Sequence, residues 1–215
     1  MTSRKAVEQL LAGIDGALNY SDDIIVFGST KEEHDRRLEK VLQRLQDNGL
    51  TVNEKKCEFG KTSLDFFGLK FSQKGISLDN RKFEAILNAK SPSTAGEVRS
   101  LLGLANYCAR FIPDFATITE PLRELIKKIV TFNWEKRHEQ ALQKLKKSIC
   151  VELLSYFDPK LRTEITVDAS PVGVAEVLAQ YDVKSSKDKR IVMYASRSLS
   201  KVEQKYSQVE REALA

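Results

Sequence analysis

Residues that form disulfides and zinc sites are scarce in this chain of 215 residues. It has two histidines and three cysteines, and Cys57, Cys108 and Cys150 are odd in number, widely spaced and without a C-x-x-C pair. This pattern excludes a disulfide framework and the usual zinc-ligand spacings. It predicts a reduced, intracellular protein. Cys108 lies on an apolar helix stripe, so we expect a small core residue there and not a nucleophile.

Long apolar runs are missing as well. No stretch reaches the roughly 20 apolar residues that span a bilayer. The opening MTSRKAVEQLLAG has neither the apolar core nor the cleavage pattern of a signal peptide. We therefore expect a soluble protein without a membrane partner. The apolar fraction of 41% is sufficient for a core, and the net charge of +5 permits binding to a polyanion without requiring it.

Apolar periodicity predicts a fold of class α+β. Its first part should contain short strands, LTV among them, and three helices: one after Thr30, one after Asp79, and one capped by Ser93 or Thr94 that runs to Ile112. Pro121 should mark the first turn of a further helix. The helix EKRHEQALQKLKKSIC follows, with His138 expected at the surface. Three strands with short connections then predict an antiparallel meander, and SQVEREALA begins a final helix.

Two adjacent aspartates, Asp22 and Asp23, lie between the apolar segments ALNY and IIVFG. The segments predict a hairpin, and Ser-Asp-Asp is ordinary turn chemistry. Carboxylates this close also require a positive partner if both are to stay ionised, so a cation site is the alternative. The residues alone leave both interpretations open.

A second acidic pair is suggested by Asp168 and Glu212. Asp168 ends a β-branched strand, where an aspartate is more often a turn former than a ligand. In the last helix, Ser207 and Glu210 fit a capping box, which leaves Glu212 without a structural role. Glu212 would project from the first turn, where a neighbouring sheet could present Asp168 to it. The alternative is a solvated glutamate on a helix surface.

In order along the chain, these segments resemble the pol polyprotein of gypsy-type LTR retrotransposons. YSDDIIVFG is similar to the Tyr-x-Asp-Asp hairpin of the reverse transcriptase palm, and VRSLLGLANYCARFIPDFATITEPL is similar to the thumb. FNWEKRHEQALQKLKKSI resembles the connection, and TVDASPVGVAEVLAQ with YASRSLSKVEQKYSQVEREALA resembles the first half of RNase H. The resemblance divides the chain into part of a palm (1–78), a thumb (79–128), a connection (129–152) and half of an RNase H-like domain (153–215).

The resemblance also implies functional residues. Asp22 and Asp23 match the palm carboxylates that hold catalytic Mg²⁺, for which Mn²⁺ could substitute, and Tyr20 and Ser21 match residues near the primer end. Asp168 and Glu212 match RNase H metal ligands. The implied partners are an RNA or DNA template-primer duplex, deoxynucleotides and the remainder of the polyprotein. Basic thumb residues are candidate phosphate contacts or, equally, solvated surface charges: Arg99, Arg110 and Arg123.

Other ligands of the family lie on segments that this sequence does not contain, namely the third palm aspartate and the remaining RNase H aspartates. Phosphoryl transfer with two metals needs several oxygen ligands. We therefore expect the 215 residues alone to be inactive as polymerase and as ribonuclease. The alternatives are a co-opted, non-catalytic nucleic-acid-binding or interaction protein and an untranslated relic. The expected location is the cytoplasm, with the nucleus or virus-like particles as alternatives.

Overall fold

The computed structural model describes residues 3–20, 23–128, 130–149, 153–185 and 188–215. Helices and antiparallel sheets alternate along the chain, which confirms the α+β class. The chain divides into two compact units, Met1–Gly60 and Lys61–Ala215. Within the described ranges, no helix combines the length and apolarity needed to cross a membrane. The finer division into four segments stays a prediction.

The first unit packs two helices around a hairpin. It contains α1 (Ser3–Leu11), β1 (Ala17–Tyr20), β2 (Asp23–Val26) and α2 (Lys31–Asp47). The helices bury Leu11, Val41 and Leu45 together with Ile14 of the connecting turn. The predicted strand LTV does not form, because residues 50–53 are irregular and find no pairing strand in the described part of the unit. Leu50 and Val52 are exposed there.

The second unit begins with an antiparallel meander followed by four helices. The strands are β3 (Ser63–Phe66), β4 (Leu69–Ser72) and β5 (Gly75–Leu78). The helices are α3 (Asn80–Leu87), α4 (Ala95–Tyr107), α5 (Phe115–Glu124) and α6 (Lys136–Ser148). Asp79 and Thr94 cap α3 and α4 through their side-chain oxygens, as their positions predict.

Two helix boundaries differ most from the sequence prediction. Helix α4 ends at Tyr107, and Ala109–Phe111 forms a separate 3₁₀ turn, so the predicted helix to Ile112 is too long. Helix α5 begins at Phe115, and Pro121 lies inside it and not in its first turn. The buried side chains of Phe115 and Ile118 explain the earlier start, because their packing favours helix upstream of the proline.

The unit ends with a three-stranded sheet and one helix. Strands β6 (Arg162–Ala169), β7 (Gly173–Tyr181) and β8 (Arg190–Ser198) pair antiparallel in chain order, which confirms the predicted meander. Helix α7 (Gln208–Leu214) follows. Its first turn is closed by the predicted capping box, in which the Ser207 hydroxyl accepts from Glu210 N and the Glu210 carboxylate accepts from Ser207 N.

Two residues of the helical region show what burial does to titratable groups. Cys108 is buried, as predicted, and burial raises the pKa of its thiol to about 11. His138 was expected at the surface, but it has no solvent exposure. Its Nδ1 accepts a hydrogen bond from Glu135 N at 2.8 Å, and its ring lies 5.7 Å from that of Trp134. The histidine is therefore an internal cap of α6, a role that helical periodicity alone does not reveal.

Burial lowers the pKa of His138, and the neighbouring Arg137 charge lowers it further, against the opposing carboxylates of Glu135 and Glu124. As the pH falls below about 6.5, His138 therefore becomes protonated in the unfolded chain before it does in the folded protein. We expect stability to fall with decreasing pH in this window, by at most about 1.4 kcal/mol per pH unit from this group.

Urea unfolding followed by the fluorescence of Trp134, the single tryptophan, measures this effect at pH 7.5 and 5.5. The variant His138→Gln should lose less stability between these pH values than the wild type. The matched control His34→Gln, at a histidine that is partly exposed, should behave like the wild type. Equal losses in all three proteins would contradict the assignment.

Candidate functional site

The first candidate site is the hairpin formed by β1 and β2. The strands pair antiparallel with Tyr20 opposite Asp23. Tyr20 is 51% exposed, and Asp23 is exposed as well. Asp23 is the first residue of β2, so the strand fixes its backbone. Ser21 and Asp22 lie outside the described residues. The predicted hairpin is confirmed, and Asp23 is presented to solvent at its tip.

The base of this hairpin is tied to α2. Phe27 N donates to Gly16 O at 2.9 Å, and Phe27 O accepts from Arg37 Nη1 at 2.8 Å. Arg37 Nη2 also pairs with Glu33 Oε1 at 2.7 Å, and Glu33 Oε2 accepts from Ser29 N at 2.7 Å. These bonds lower the pKa of the Glu33 carboxyl, the Ser29 backbone N–H being the main cause. Thr30 and Glu33 form only half of a capping box, since the Thr30 hydroxyl accepts from Glu33 N while the Glu33 carboxylate bonds to Ser29 N and not to Thr30 N.

The second candidate site lies where β6 meets α7. Asp168 is the penultimate residue of β6 and is exposed, opposite Ala175 of β7. Gln208 Nε2 donates to Ala169 O at 3.0 Å and to Glu212 Oε1 at 2.8 Å. Gln208 therefore connects Glu212 to the backbone carbonyl that follows Asp168. Sequence reasoning missed Gln208, although its position four residues before Glu212 is the spacing at which helical side chains meet.

Neither carboxylate pair is joined by a third possible metal ligand within the described ranges. No group of three or more His, Cys, Asp or Glu residues gathers there in an arrangement that could hold a metal ion. Glu210 remains occupied by its cap, which lowers the pKa of its carboxyl. The metal-ligand roles of Asp22, Asp23, Asp168 and Glu212 stay predictions.

The three arginines predicted as phosphate contacts have different surroundings. Arg99 is exposed on α4. Arg110 is partly buried, and its Nε has no hydrogen-bond partner among the described residues. Arg123 donates to Thr119 Oγ1 at 3.1 Å and to Ser198 Oγ at 3.3 Å, so it joins α5 to β8. Burial lowers the pKa of Arg123. Of the three, Arg99 presents its charge most openly to a phosphate.

Two protein-family models match this chain, one near its start and one over its last part. Residues 2–71 match reverse transcriptase (RNA-dependent DNA polymerase), and residues 134–215 match the RNase H-like domain found in reverse transcriptase. Among solved structures, a foamy viral protease-reverse transcriptase in complex with double-stranded DNA has a TM-score of 0.84 at 28% identity, over 98% of this chain and 37% of that one. The same viral enzyme with an RNA/DNA hybrid has a TM-score of 0.81 at 28% identity, over 98% of this chain and 28% of that one.

The chain thus carries a reverse transcriptase segment over residues 2–71 and an RNase H-like segment of reverse transcriptases over residues 134–215. The similar full-length proteins point to a narrower group, the transposon polyproteins. The Tf2-3 and Tf2-7 transposon polyproteins of Schizosaccharomyces pombe are each 34% identical to it over 198 residues, which is 91% of this chain. The chain spans 15% of the length of these polyproteins. The predicted resemblance to the pol polyproteins of gypsy-type retrotransposons is confirmed.

The hairpin base offers a direct test of what positions Asp23. Gly16 has φ +73°, and a Cβ there would lie 2.4 Å from Arg37 Nη1 and 2.6 Å from Phe27 O. Gly13 has a similar φ of +78° but nothing within 4 Å of a Cβ. Both Ala substitutions incur the left-handed backbone strain of roughly 1 kcal/mol, and only Gly16→Ala adds a steric clash.

We expect Gly16→Ala to destabilise the first unit by about 1–3 kcal/mol more than Gly13→Ala, since the clash forces apart a packed contact. Hydrogen exchange of the β1 and β2 amides measures the difference at the hairpin itself. If the two variants exchange alike, the hairpin base is not held by the contacts between Gly16, Phe27 and Arg37.

Proposed function

We propose that this chain supplies paired carboxylates to two nucleic-acid-processing sites, an RNA-directed DNA polymerase and a ribonuclease H. The observation that carries the proposal is the presentation of one exposed aspartate at a strand end in each family-matched segment, Asp23 in β2 and Asp168 in β6. Asp22 and Asp23 serve the polymerase, and Asp168 and Glu212 serve the ribonuclease. Tyr20 and Ser21 lie at the primer end.

The donor chemistry of these residues fits Mg²⁺ or Mn²⁺, since exposed carboxylate oxygens are the hard ligands that such ions prefer. Reverse transcriptases and RNases H generally use divalent metals, and bound ions would neutralise the charge that develops on the phosphoryl group. The contribution of this chain is to hold the ligands. The hairpin fixes Asp23 through its paired strands, and Gln208 orients the Glu212 carboxylate beside the end of β6.

The proposed substrates are a template-primer duplex with deoxynucleotides for synthesis, and the RNA strand of a hybrid for cleavage. The foamy viral enzymes that share this fold were solved with double-stranded DNA and with an RNA/DNA hybrid. The exposed Arg99 and the net charge of +5 suit phosphate contacts along such a duplex. The remainder of the polyprotein is the proposed partner, and the cytoplasm, the nucleus or virus-like particles are the proposed locations.

A second candidate function is non-catalytic binding of nucleic acid. The observation that favours it is that the described residues contain no group of three or more His, Cys, Asp or Glu side chains that could hold a metal ion. Salt-sensitive binding of an RNA–DNA duplex that is unchanged in the double variant Asp22→Asn/Asp23→Asn would support it. Loss of duplex binding together with loss of metal binding in that variant would favour the catalytic proposal.

Metal binding at the second site can be tested on the 215-residue chain itself. We expect Mn²⁺ to broaden the NMR signals of residues around Asp168, and Asp168→Asn and Glu212→Gln to remove this broadening. Glu210→Gln is the matched control, because that carboxylate caps α7 and should leave the broadening intact. Broadening that is lost in Glu210→Gln and kept in Glu212→Gln would contradict the ligand assignment.

Catalysis should need more ligands than the chain provides. We expect neither primer extension nor hybrid cleavage from the isolated 215 residues in Mg²⁺, because two-metal chemistry requires several carboxylates around each pair of ions. Gel assays with labelled primer and labelled hybrid measure both reactions. Activity that disappears in Asp22→Asn/Asp23→Asn or in Asp168→Asn would show that the chain is sufficient.

A further inference from the structure

A surface groove that none of the proposed sites uses lies in the second unit. It is an open cavity of about 370 Å³ between the turn joining β4 and β5, the segment of residues 155–161, and the start of β8. Two aromatic rings, Tyr156 and Phe157, line it together with the cations Lys74 and Arg190. None of its lining residues belongs to either carboxylate pair.

The backbone beneath the two aromatic residues is held by hydrogen bonds on both sides. Leu154 exchanges both backbone hydrogen bonds with Ile76, at 2.8 and 2.9 Å, and Ser155 N donates to Ile191 O at 2.7 Å. After the aromatic pair, the buried Gln180 side chain accepts from Asp158 N and donates to Asp158 O, each at 2.9 Å. The segment that carries the rings is therefore fixed before any ligand arrives.

Despite this fixed backbone, both rings face solvent. Tyr156 is 46% exposed and Phe157 is 56% exposed. The Tyr156 hydroxyl donates to Ser72 O at 2.9 Å, which holds its ring against the β4–β5 turn. Exposed aromatic surface on a backbone that is already fixed is typical of binding sites, because the segment has little ordering entropy left to lose on binding.

The charges around the rings favour an anion. Lys74 and Arg190 are exposed, and neither side chain forms an ion pair with a described residue. The one acidic group of the lining, Asp158, accepts from Lys160 N at 2.9 Å through its carboxylate. The groove thus has two cations, one carboxylate and two ring faces.

We infer that this groove binds a single-stranded nucleic acid, with a base stacked on Phe157 and backbone phosphates at Lys74 and Arg190. Stacking platforms combined with cations are the general means by which proteins bind single strands without reading sequence. This binding needs neither a metal ion nor the carboxylates of the proposed active sites. It goes beyond the proposed function, which concerns duplexes.

The test uses the 215-residue chain, a fluorescein-labelled dT₁₂ strand and fluorescence anisotropy in EDTA. We expect Phe157→Ala to weaken binding about tenfold, the usual effect of removing one stacked base contact. Lys74→Gln combined with Arg190→Gln should reduce the slope of log K against log salt by roughly 1.4, since each phosphate contact to a single strand contributes about 0.7.

Matched controls lie elsewhere on the surface. Phe59→Ala removes another exposed ring, which is 53% exposed, and Lys144→Gln removes an exposed charge on α6. Both should bind the strand as the wild type does. Phe157→Leu keeps most of the apolar volume but loses the ring face, so it should also weaken binding. A loss of binding in this variant would show that the effect of Phe157→Ala does not come from a folding defect.

Several outcomes would overturn the inference. Wild-type affinity in both Phe157 variants would show that the ring makes no contact, and binding that disappears in EDTA would place the strand at a metal site. Groove variants that alter self-association, measured by sedimentation, without altering dT₁₂ binding would identify a protein-contact surface instead. Failure of the metal-binding proposal leaves this result unaffected, because the assay contains no metal.

Discussion

The second unit depends on one apolar cluster that joins its helices to its sheets. Phe111, Ile112 and Leu154 have at most 1% exposure at its centre, and β5, α3, α4, α5 and α6 all contribute side chains to it. Ile191 and Tyr194 of β8 pack against the same cluster. Because a close-packed interior tolerates little displacement, the helices α3 to α6 and the sheet of β6 to β8 are held together as one compact unit.

Burial decides which polar groups can remain available for chemistry. His138, Gln180 and Thr119 are buried and satisfy backbone or neighbouring groups of the fold. Arg123 is similarly used, since it joins α5 to β8. The carboxylates of Asp23, Asp168 and Glu212 lie at exposed ends of elements, where a carboxylate can stay ionised without the cost of burial. The candidate sites and the structural polar groups thus differ in burial more than in residue type.

Much of the fold follows from local patterns in the sequence. Caps at Thr30, Asp79 and Thr94 set helix starts that the structure confirms, because a cap is decided by residues within one turn. The strand LTV, the start of α5 and the burial of His138 were predicted wrongly. The first two depend on distant partners, a strand to pair with and a core that buries Phe115. The third involves near neighbours, because His138 Nδ1 accepts from Glu135 N and its ring lies beside that of Trp134.

The sequence by itself indicated the resemblance to retrotransposon polyproteins and most of the element order, and it predicted two acidic pairs, because motif order and short-range spacing can be read without knowledge of packing. Only the tertiary structure decided how these residues are used. It placed Gln208 between Ala169 and Glu212, turned Arg123 inward, left Arg99 exposed, and pinned Tyr156 and Phe157 on a rigid, solvent-facing segment. The physical reason is that burial and hydrogen bonding between distant segments have no local signal along the chain.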